Sequence, residues 1–247
     1  MSCTSGSMYN RVALRTLSGY ICNSMRKALS FILLIVGLAA LLLLGSMGRL
    51  SGDAMHAPLP ENNRHITIVN HHLVDSAVSL LCQGDVVLRM GTGAYSHLMA
   101  QMNRSDKRFS HCGIVMIEDG HPFVYHSIGG EDNPDARLRR DSAAAFFDPG
   151  HNTAIAVVKY RLAPAQQQAL TAVVGSFYDR QPRFDTKFDL RTDDWLYCTE
   201  FVYKAMAAAT GDPQFIPVTE VMGHRFVGTD NLYHQSPGHL IWQVRFK

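Results

Sequence analysis

The stretch 109–129 reads FSHCGIVMIEDGHPFVYHSIG, and it decides the fold. Branched and aromatic residues, which favour β-strands, occur throughout both of its halves. Between the halves stands Asp119-Gly120, a strong signal for a two-residue hairpin turn. The stretch therefore predicts two antiparallel strands, 109–118 and 121–128, which are joined by a tight turn.

Two histidines are brought together by this hairpin. A two-residue turn pairs Glu118 with His121, so counting back from the turn places Gly113 opposite His126. His111 and His126 then lie on one face of the sheet as diagonal neighbours, with about 7 to 8 Å between their Cα atoms. One imidazole can serve as a base while the second holds it in the required tautomer. Gly113 on the same face leaves room for the end of a helix to approach.

Cys198 is the first residue of a predicted helix, 198–209, which Gly211 ends. Unpaired main-chain N–H groups and the helix dipole favour negative charge at this end, so Cys198 should form a thiolate more easily than an ordinary cysteine. Glu200 in the first turn is interpreted as a capping carboxylate. The alternative interpretation of Cys198 is a buried cysteine that packs like alanine.

The remaining segments predict a mixed architecture. We expect helices at 66–81, 94–102 and 164–180, and further strands at 85–90, 153–162 and 239–247. Helices and strands thus occur in separate blocks around a mostly antiparallel sheet, which is the α+β pattern.

Four segments resemble the permuted papain-like family of NlpC-type enzymes, the YaeF/YiiX group of bacterial envelope proteins. They are GDVVLR from Gly84, the hairpin 109–129, VVKYR from Val157, and YDRQPRFDTKFDLRTDDWLYCTEFVYKA from Tyr178. They follow the family's order and cover most of residues 80–207. The resemblance implies an α+β fold of circularly permuted papain-like (NlpC-type) architecture, with an antiparallel sheet packed on helices.

The resemblance also assigns roles to individual residues. In the family, the histidine of the S-H-x-G-I-V strand is the base and the cysteine of Y-C-[ST]-E is the nucleophile, and these positions fall on His111 and Cys198. A base that precedes the nucleophile along the chain is the mark of the permutation. The third position holds His126. YiiX-like members often carry Glu there, whereas unpermuted NlpC-type peptidases and the lecithin retinol acyltransferase group carry His, so no YiiX-specific substrate is transferred.

Other residues are candidates for contacts with the substrate. Tyr197 and the main-chain N–H of Cys198 are candidates for stabilising an oxyanion. Tyr95, Met99 and Ser110 are candidates for binding the substrate. Tyr95 and Met99 belong to the segment 91–103, which could line an apolar pocket or equally pack in the core.

A membrane helix is predicted at 28–48, which carries no charge and has the centre FILLIVGLAALLLL. Four basic residues precede it and one follows closely, so the positive-inside rule predicts a cytoplasmic segment 1–27 and a periplasmic remainder. We therefore expect a signal anchor in the inner membrane, a linker at 49–63 and one catalytic domain at 64–247. A cleaved signal peptide is the alternative, and in a eukaryote the domain would be lumenal.

Charge and motifs argue against other classes of function. The chain has 23 basic and 21 acidic residues, but five of the basic ones lie in the first fifty residues, so the domain is slightly acidic and nucleic-acid binding is not expected. Neither H-E-x-x-H nor C-x-x-C occurs, and no metal or other cofactor is expected. Of the three cysteines after the membrane segment, Cys82 and Cys112 could form a bridge, which would leave Cys198 as the odd thiol.

The sequence thus predicts a membrane-anchored thiol hydrolase of the cell envelope. A triad of Cys198, His111 and His126 is expected to cleave amide or ester bonds through an acyl-enzyme. The expected substrates are peptidoglycan peptides or lipid-linked amides. The alternatives are an acyltransferase or lipid-modifying enzyme of the same fold, or a catalytically inactive envelope-binding protein.

Overall fold

The computed structural model describes residues 61–129, 133 and 135–247, with side chains from residue 66 onward. The chain divides into two compact units, 1–60 and 61–247, and the described residues all belong to the second. The predicted cytoplasmic segment, membrane helix and most of the linker therefore lie outside the described residues. Within the part of the chain that is described, no helix is both long and apolar enough to cross a bilayer.

A six-stranded antiparallel sheet organises the described residues. Its strands are β1 (Val86–Gly91), β2 (His111–Glu118), β3 (His121–Ser127), β4 (Leu138–Ser142), β5 (Asn152–Lys159) and β8 (His239–Arg245), in the spatial order β4-β3-β2-β1-β5-β8. Every neighbouring pair is antiparallel, which confirms the predicted type of sheet. A separate two-stranded ribbon consists of β6 (Thr219–Val221) and β7 (His224–Phe226).

Helices pack on this sheet. They are α1 (Glu61–Ser79), α2 (Ala94–Gln101), α3 (Ala143–Phe146), α4 (Pro164–Arg180), α5 (Cys198–Thr210) and a short 3-10 helix (Asp230–Leu232). α1 begins at Glu61, three residues ahead of the boundary that the sequence predicts for the domain. α5 ends as predicted at Gly211, whose φ of 71° is left-handed and therefore suits glycine.

The predicted hairpin forms with its predicted turn. Asp119 and Gly120 have φ values of 50° and 81°, the left-handed values that a two-residue hairpin turn of this kind requires. Glu118 lies opposite His121, as counted from the sequence. The turn residues alone therefore set the register of β2 against β3.

The main-chain pairing of the two hairpin strands does not extend to the end far from the turn. Their pairing runs from the turn to Ile114 and Tyr125 and stops there. Beyond this point Ser127 Oγ donates a hydrogen bond to the main-chain oxygen of Leu196 at 2.5 Å. The segment that leads into α5 therefore lies against this unpaired end, which we call the open end of the hairpin (residues 111–113 and 126–127).

Each face of the sheet carries its own apolar cluster. The first cluster includes Leu88, Cys112 and Ile114 of the sheet, together with residues of α4 and α5 such as the fully buried Phe201. The second cluster packs side chains of α1 and α3 against the opposite face, and Phe146 belongs to it. Burial of each such large side chain contributes roughly 1.5–3 kcal/mol, so both faces hold the sheet in place.

β4 and α3 are absent from the sequence-based prediction, and both bear on the site. β4 has the sequence LRRDS, which is too polar to show the alternation expected of a half-buried strand. It is an edge strand, and pairing with β3 holds it extended. α3 has only four residues, and Ser142 caps it by accepting a hydrogen bond from the main-chain N–H of Ala145. A helix of one turn carries no periodic signal.

Candidate active site

Cys198 is the first residue of α5, as predicted, and it is 9% exposed. The side chain of Glu200 accepts a hydrogen bond from the main-chain N–H of Tyr197 at 3.3 Å, which confirms its capping role. Glu200 is fully buried, and this burial raises its pKa to about 7, although Lys204 Nζ, 3.0 Å from the carboxylate, acts in the opposite direction. The first turn of α5 is thus held in place by its own polar groups.

The Cys198 sulfur lies among hydrogen-bond donors. The strongest influence is a hydrogen bond from the Cys112 thiol, which lowers the pKa of Cys198 below that of an ordinary cysteine. Burial acts to raise this pKa, but the main-chain N–H groups of Cys112, Thr199 and Cys198 itself lower it further. Burial raises the pKa of Cys112 well above the ordinary value, so Cys112 remains the protonated partner. Cys198 is therefore the thiol of this pair that ionises.

This arrangement predicts a pH-dependent effect of Cys112. Alkylation of Cys198 by iodoacetamide requires the thiolate, so its rate should reach half of its maximum at a lower pH than for an ordinary cysteine. Cys112→Ala removes the side-chain donor and should move that midpoint to higher pH. Cys112→Ser keeps a donor and should move it less. Equal midpoints in the two variants and the wild type would contradict a role for the Cys112 thiol.

His111 and His126 are brought together as the hairpin predicts. His111 Nε2 lies 2.9 Å from His126 Nδ1, and the ring centroids are 5.0 Å apart. The ring of Phe146 covers both imidazoles, with its centroid 5.7 Å from that of His111 and 5.1 Å from that of His126. Burial lowers the pKa of both histidines, and the positive charge of Arg89 acts in the same direction on both. Both rings are therefore neutral at neutral pH.

Asp141 on β4 extends the pair to a chain of three groups. Its Oδ2 lies 2.9 Å from His126 Nε2, and Arg139 donates to its Oδ1 at 2.8 Å. Partial burial acts to raise the pKa of Asp141, but the hydrogen bonds from His126 and Arg139 outweigh it and lower this pKa to about 2. Asp141 is therefore a carboxylate that can only accept hydrogen bonds.

The carboxylate of Asp141 sets the protonation of both rings. A neutral His126 that donates from Nε2 to Asp141 must carry its lone pair on Nδ1. That lone pair accepts the proton on Nε2 of His111, which leaves Nδ1 of His111 with a free lone pair. The hydrogen-bond chain thus gives His111 the tautomer of a base whose accepting atom is Nδ1.

Sequence reasoning missed Asp141. On β4, Arg139 lies directly opposite His126, so Asp141 is its diagonal neighbour on the same face. The signal that could have found it is an acidic residue in the polar stretch that follows the hairpin. Without knowledge that this stretch is a strand, nothing in the sequence distinguishes Asp141 from a surface carboxylate.

The structure does not place Cys198 on the face that carries the two imidazoles. Cys112 belongs to the cluster that contains Cys198, whereas His111 precedes it on β2 and therefore points to the opposite face, where Phe146 lies. No hydrogen bond joins the Cys198 sulfur to His111 among the described residues. Both groups instead border the open end of the hairpin, where β2 and β3 are no longer paired.

The expectation that a helix end approaches Gly113 is wrong. A Cβ atom at Gly113 would meet Val124 Cγ1 at 2.5 Å, the Tyr125 oxygen at 2.8 Å and His126 Cβ at 3.0 Å. All of these atoms belong to the neighbouring strand β3. Gly113 is therefore required by the close approach of two strands, while α5 packs against the other face of β2.

The other residues predicted to contact the substrate differ in their burial and in their contacts. Tyr197 is 2% exposed, and its hydroxyl accepts a hydrogen bond from the main-chain N–H of Val227 at 2.9 Å. Ser110 is buried against β1, where its Oγ lies 3.4 Å from the main-chain oxygen of Arg89. Met99 is half-buried on α2. Tyr95 is 54% exposed and lies close enough to Cys198 for the thiolate to affect its pKa, although burial is the larger cause of the increase.

The disulfide bridge that the sequence allows between Cys82 and Cys112 is not formed. Cys82, Cys112 and Cys198 are all free, so no bridge joins Cys82 to Cys112. The exposed Cys82 sulfur accepts a hydrogen bond from Lys159 Nζ at 3.1 Å, whereas Cys112 is buried in the apolar cluster that also contains Cys198.

Comparison with known proteins supports the fold. No protein-family model matches the chain, and no curated protein does. Among solved structures, the metalloprotein yiiX from Escherichia coli O157:H7 matches with a TM-score of 0.54 and 16% sequence identity, covering 66% of this chain and 97% of that one. At this identity the likeness shows the fold alone, a YiiX-like mixed α/β fold with a large antiparallel sheet packed with helices.

Proposed function

We propose that this chain is a thiol hydrolase of permuted papain-like, NlpC-type architecture, with Cys198 as the nucleophile. The observation that carries the proposal is the Cys198 thiol at the start of α5, surrounded by three main-chain N–H groups that favour its ionised form. A second support is the base-forming chain of His111, His126 and Asp141 on the hairpin that resembles the family's catalytic strand. The YiiX-like fold is compatible with this activity.

The proposed reaction is acyl transfer to water. Cys198 Sγ attacks the carbonyl carbon of an amide or ester while the thiol proton passes to Nδ1 of His111. The carbonyl oxygen becomes an oxyanion, which the main-chain N–H groups at the start of α5 stabilise. His111 then returns the proton to the leaving nitrogen or oxygen, and an acyl-enzyme remains. Water attacks the thioester, with His111 accepting its proton, and the acid and the free thiol are released.

His111 is proposed to act across the open end of the hairpin. The lone pair on its Nδ1 makes no hydrogen bond among the described residues, and the ring remains 8% exposed. Transfer of the proton between sulfur and nitrogen therefore requires the substrate-bound enzyme to bring these atoms together directly or through one water molecule. Catalytic hydrogen bonds often tighten only when a substrate binds.

Tyr197 has a supporting part in this proposal. Its hydroxyl already accepts the N–H of Val227, and its ring packs against Phe188 with 5.0 Å between centroids. These contacts hold the residue that precedes the nucleophile. We therefore assign the oxyanion to the main chain at Cys198 and regard Tyr197 as a positioning residue.

We further propose that the domain acts at the outer face of the inner membrane, tethered by the apolar segment 28–48. Substrates would then be peptidoglycan peptides or lipid-linked amides and esters. Tyr95 and Leu98 on α2 are 54% and 60% exposed, and the charge of a Cys198 thiolate reaches Tyr95 strongly enough to raise its pKa. This exposed apolar surface favours an acyl chain as part of the substrate.

The proposed reaction uses only side chains, main-chain N–H groups and water. The E. coli protein of similar fold is described as a metalloprotein. In residues 61–129, 133 and 135–247 of this chain, no group of three or more His, Cys, Asp or Glu side chains is arranged to hold a metal ion. His126 uses both of its ring nitrogens in hydrogen bonds to His111 and Asp141, which leaves neither free for a metal.

The activity can be tested with p-nitrophenyl esters and the full-length protein in detergent. An acyl-enzyme predicts a rapid release of p-nitrophenol that is stoichiometric with the enzyme, followed by slower turnover. Comparison of the rates on octanoate and acetate esters tests the preference for a long acyl chain, which predicts faster release from the octanoate ester. Addition of hydroxylamine or an amine as acceptor distinguishes hydrolysis from acyl transfer. If the wild type releases p-nitrophenol no faster than Cys198→Ala, the proposed hydrolase activity is contradicted.

Asp141→Asn should lower the rate of acylation roughly a hundredfold, because an amide can donate to His126 and so reverse the tautomers of both rings. The ring ¹⁵N shifts of His111 and His126 should report this reversal, which a merely structural residue would not cause. Asp148→Asn is the matched control, since Asp148 also binds a histidine, His151 at 2.8 Å, outside the site. Unchanged ¹⁵N shifts in Asp141→Asn would remove the assigned role.

A further inference from the structure

A cavity of about 260 Å³ lies between the end of α4 and the segment that leads into α5. Three arginine side chains and one tryptophan side chain line it, and they belong to Arg137, Arg180, Arg183 and Trp195. None of these residues is part of the triad proposed above. The cavity, which we call the arginine pocket, is therefore a feature that the proposed hydrolysis does not use.

Main-chain pairing holds two of the arginines and the tryptophan in place. Arg183 forms an antiparallel bridge with Arg137 on one side and a parallel bridge with Trp195 on the other. The Arg183 N–H also donates to the main-chain oxygen of Asp194 at 2.9 Å. Arg137 Nη1 donates to the main-chain oxygen of Gln181 at 2.8 Å. The pocket is therefore built on three paired segments of main chain.

Two aromatic rings support the other guanidinium groups. Arg183 Cζ lies 5.7 Å from the centroid of the Trp195 ring, and Arg180 Cζ lies 4.7 Å from the centroid of the Phe177 ring. Contacts of this kind attract the cation to the face of the ring but use none of its five N–H donors. Both guanidinium groups therefore keep donors for a ligand.

The arginine pocket carries an excess of positive charge. Among residues 61–129, 133 and 135–247, none of its three arginines forms an ion pair with a carboxylate. Asp193 and Asp194 also line the pocket, but Asp193 Oδ1 is paired with Lys204 Nζ at 2.8 Å. The three arginines and Asp194 leave a net charge of +2. Because like charges around one cavity repel each other, a bound anion would relieve this repulsion.

We propose that the arginine pocket binds a phosphate monoester, either free in solution or as the headgroup of a lipid. A single guanidinium fork satisfies both oxygens of a carboxylate, whereas a phosphate monoester offers three acceptor oxygens and up to two negative charges. Several arginines and a net charge of +2 therefore match the phosphate. Trp195 is 43% exposed and provides an apolar surface for the group that the phosphate esterifies.

Fluorescence of Trp195 tests this binding. The chain has two tryptophans, so Trp242→Phe leaves Trp195 as the single reporter. The full-length variant in detergent would be titrated with glycerol 3-phosphate at constant ionic strength. We expect a saturable change in emission, and at least about tenfold weaker binding of acetate. Independently, glycerol 3-phosphate should raise the Tm of the wild type more than acetate does at equal concentration.

Arg180→Gln, made in the Trp242→Phe variant, tests the role of the arginines. Arg180 is exposed in the last turn of α4, so its replacement removes a charge without opening a cavity in the core. The affinity for glycerol 3-phosphate should fall about tenfold or more. Arg161→Gln is the matched control, because Arg161 is also exposed but does not line the pocket. Equal affinities in the two variants would overturn the proposal.

The source of the phosphate is read from the same emission in nanodiscs. The full-length Trp242→Phe variant would be placed in phosphatidylcholine with either phosphatidic acid, a phosphate monoester, or phosphatidylglycerol, a diester, at equal surface charge. A response to phosphatidic acid alone, without one to glycerol 3-phosphate, supports a lipid headgroup. A response to glycerol 3-phosphate alone supports a soluble ester. Equal responses to the two lipids, or no response to either phosphate monoester, would contradict the proposed ligand.

These measurements do not depend on catalysis, because they report binding. A chain that binds glycerol 3-phosphate but forms no acyl-enzyme would retain the arginine pocket and lose the hydrolase. An acyl-enzyme in a chain that binds no phosphate monoester would do the reverse.

Discussion

Cys198→Ala is expected to reduce the rate of p-nitrophenyl ester hydrolysis by at least about 10³-fold, to the rate of the uncatalysed reaction plus any contribution from binding. The reason is that the covalent step loses its nucleophile, while the N–H groups at the start of α5 remain in place. The rate of p-nitrophenol release in the first turnover measures this loss directly.

The matched control for this variant is Cys82→Ala. Cys82 is also a free thiol, but it is exposed and bonded to Lys159 on the protein surface. It should retain the full rate. Equal rates for Cys198→Ala and wild type would show that another group carries the reaction, and a loss in Cys82→Ala would point to that group.

His111→Ala is expected to lower the acylation rate by about 10²- to 10⁴-fold, the range for removal of a general base. Two effects combine in this variant. The thiol proton loses its acceptor, and His126 loses the partner that its Nδ1 contacts at 2.9 Å. The loss should be largest at the pH where Cys198 is still a thiol and should diminish at alkaline pH, because a thiolate needs no base.

Two further histidine variants make this prediction specific. His121→Ala changes an exposed histidine on the same hairpin and should leave the rate unchanged. His126→Gln keeps a side chain that can accept a hydrogen bond from His111, and it should retain more activity than His111→Ala. If His111→Ala acylates as fast as the wild type at neutral pH, the imidazole pair is a structural feature of the second cluster and not the base of this reaction.

Local signals made the hairpin predictable. Asp119-Gly120 is a turn whose chemistry depends on two residues only, so the register of β2 against β3 and the contact of His111 with His126 followed from counting. The start of α5 at Cys198 and its end at Gly211 were likewise marked by neighbouring residues. These features required no knowledge of the tertiary structure.

The positions of Asp141 and Cys112 relative to the site could not be predicted from neighbouring residues, because they depend on tertiary contacts. Asp141 reaches His126 only because the polar segment LRRDS becomes an edge strand against β3. Cys112 and Cys198 lie in one apolar cluster because of the face of the sheet that α5 covers. Strand alternation shows that His111 and Cys112 point to opposite faces, but not which of the two faces receives the helix.

The central claim is that Cys198 forms an acyl-enzyme, and mass spectrometry of the peptide 192–204 tests it most directly. The full-length protein would be incubated with bacterial envelope extract, quenched in acid and digested with trypsin. The account predicts a thioester adduct on Cys198, with a mass that identifies the acyl group, and its disappearance when hydroxylamine is added. If Cys198 stays unmodified in samples quenched while an ester or amide is being turned over, or if the adduct is confined to Cys82, the claim is contradicted.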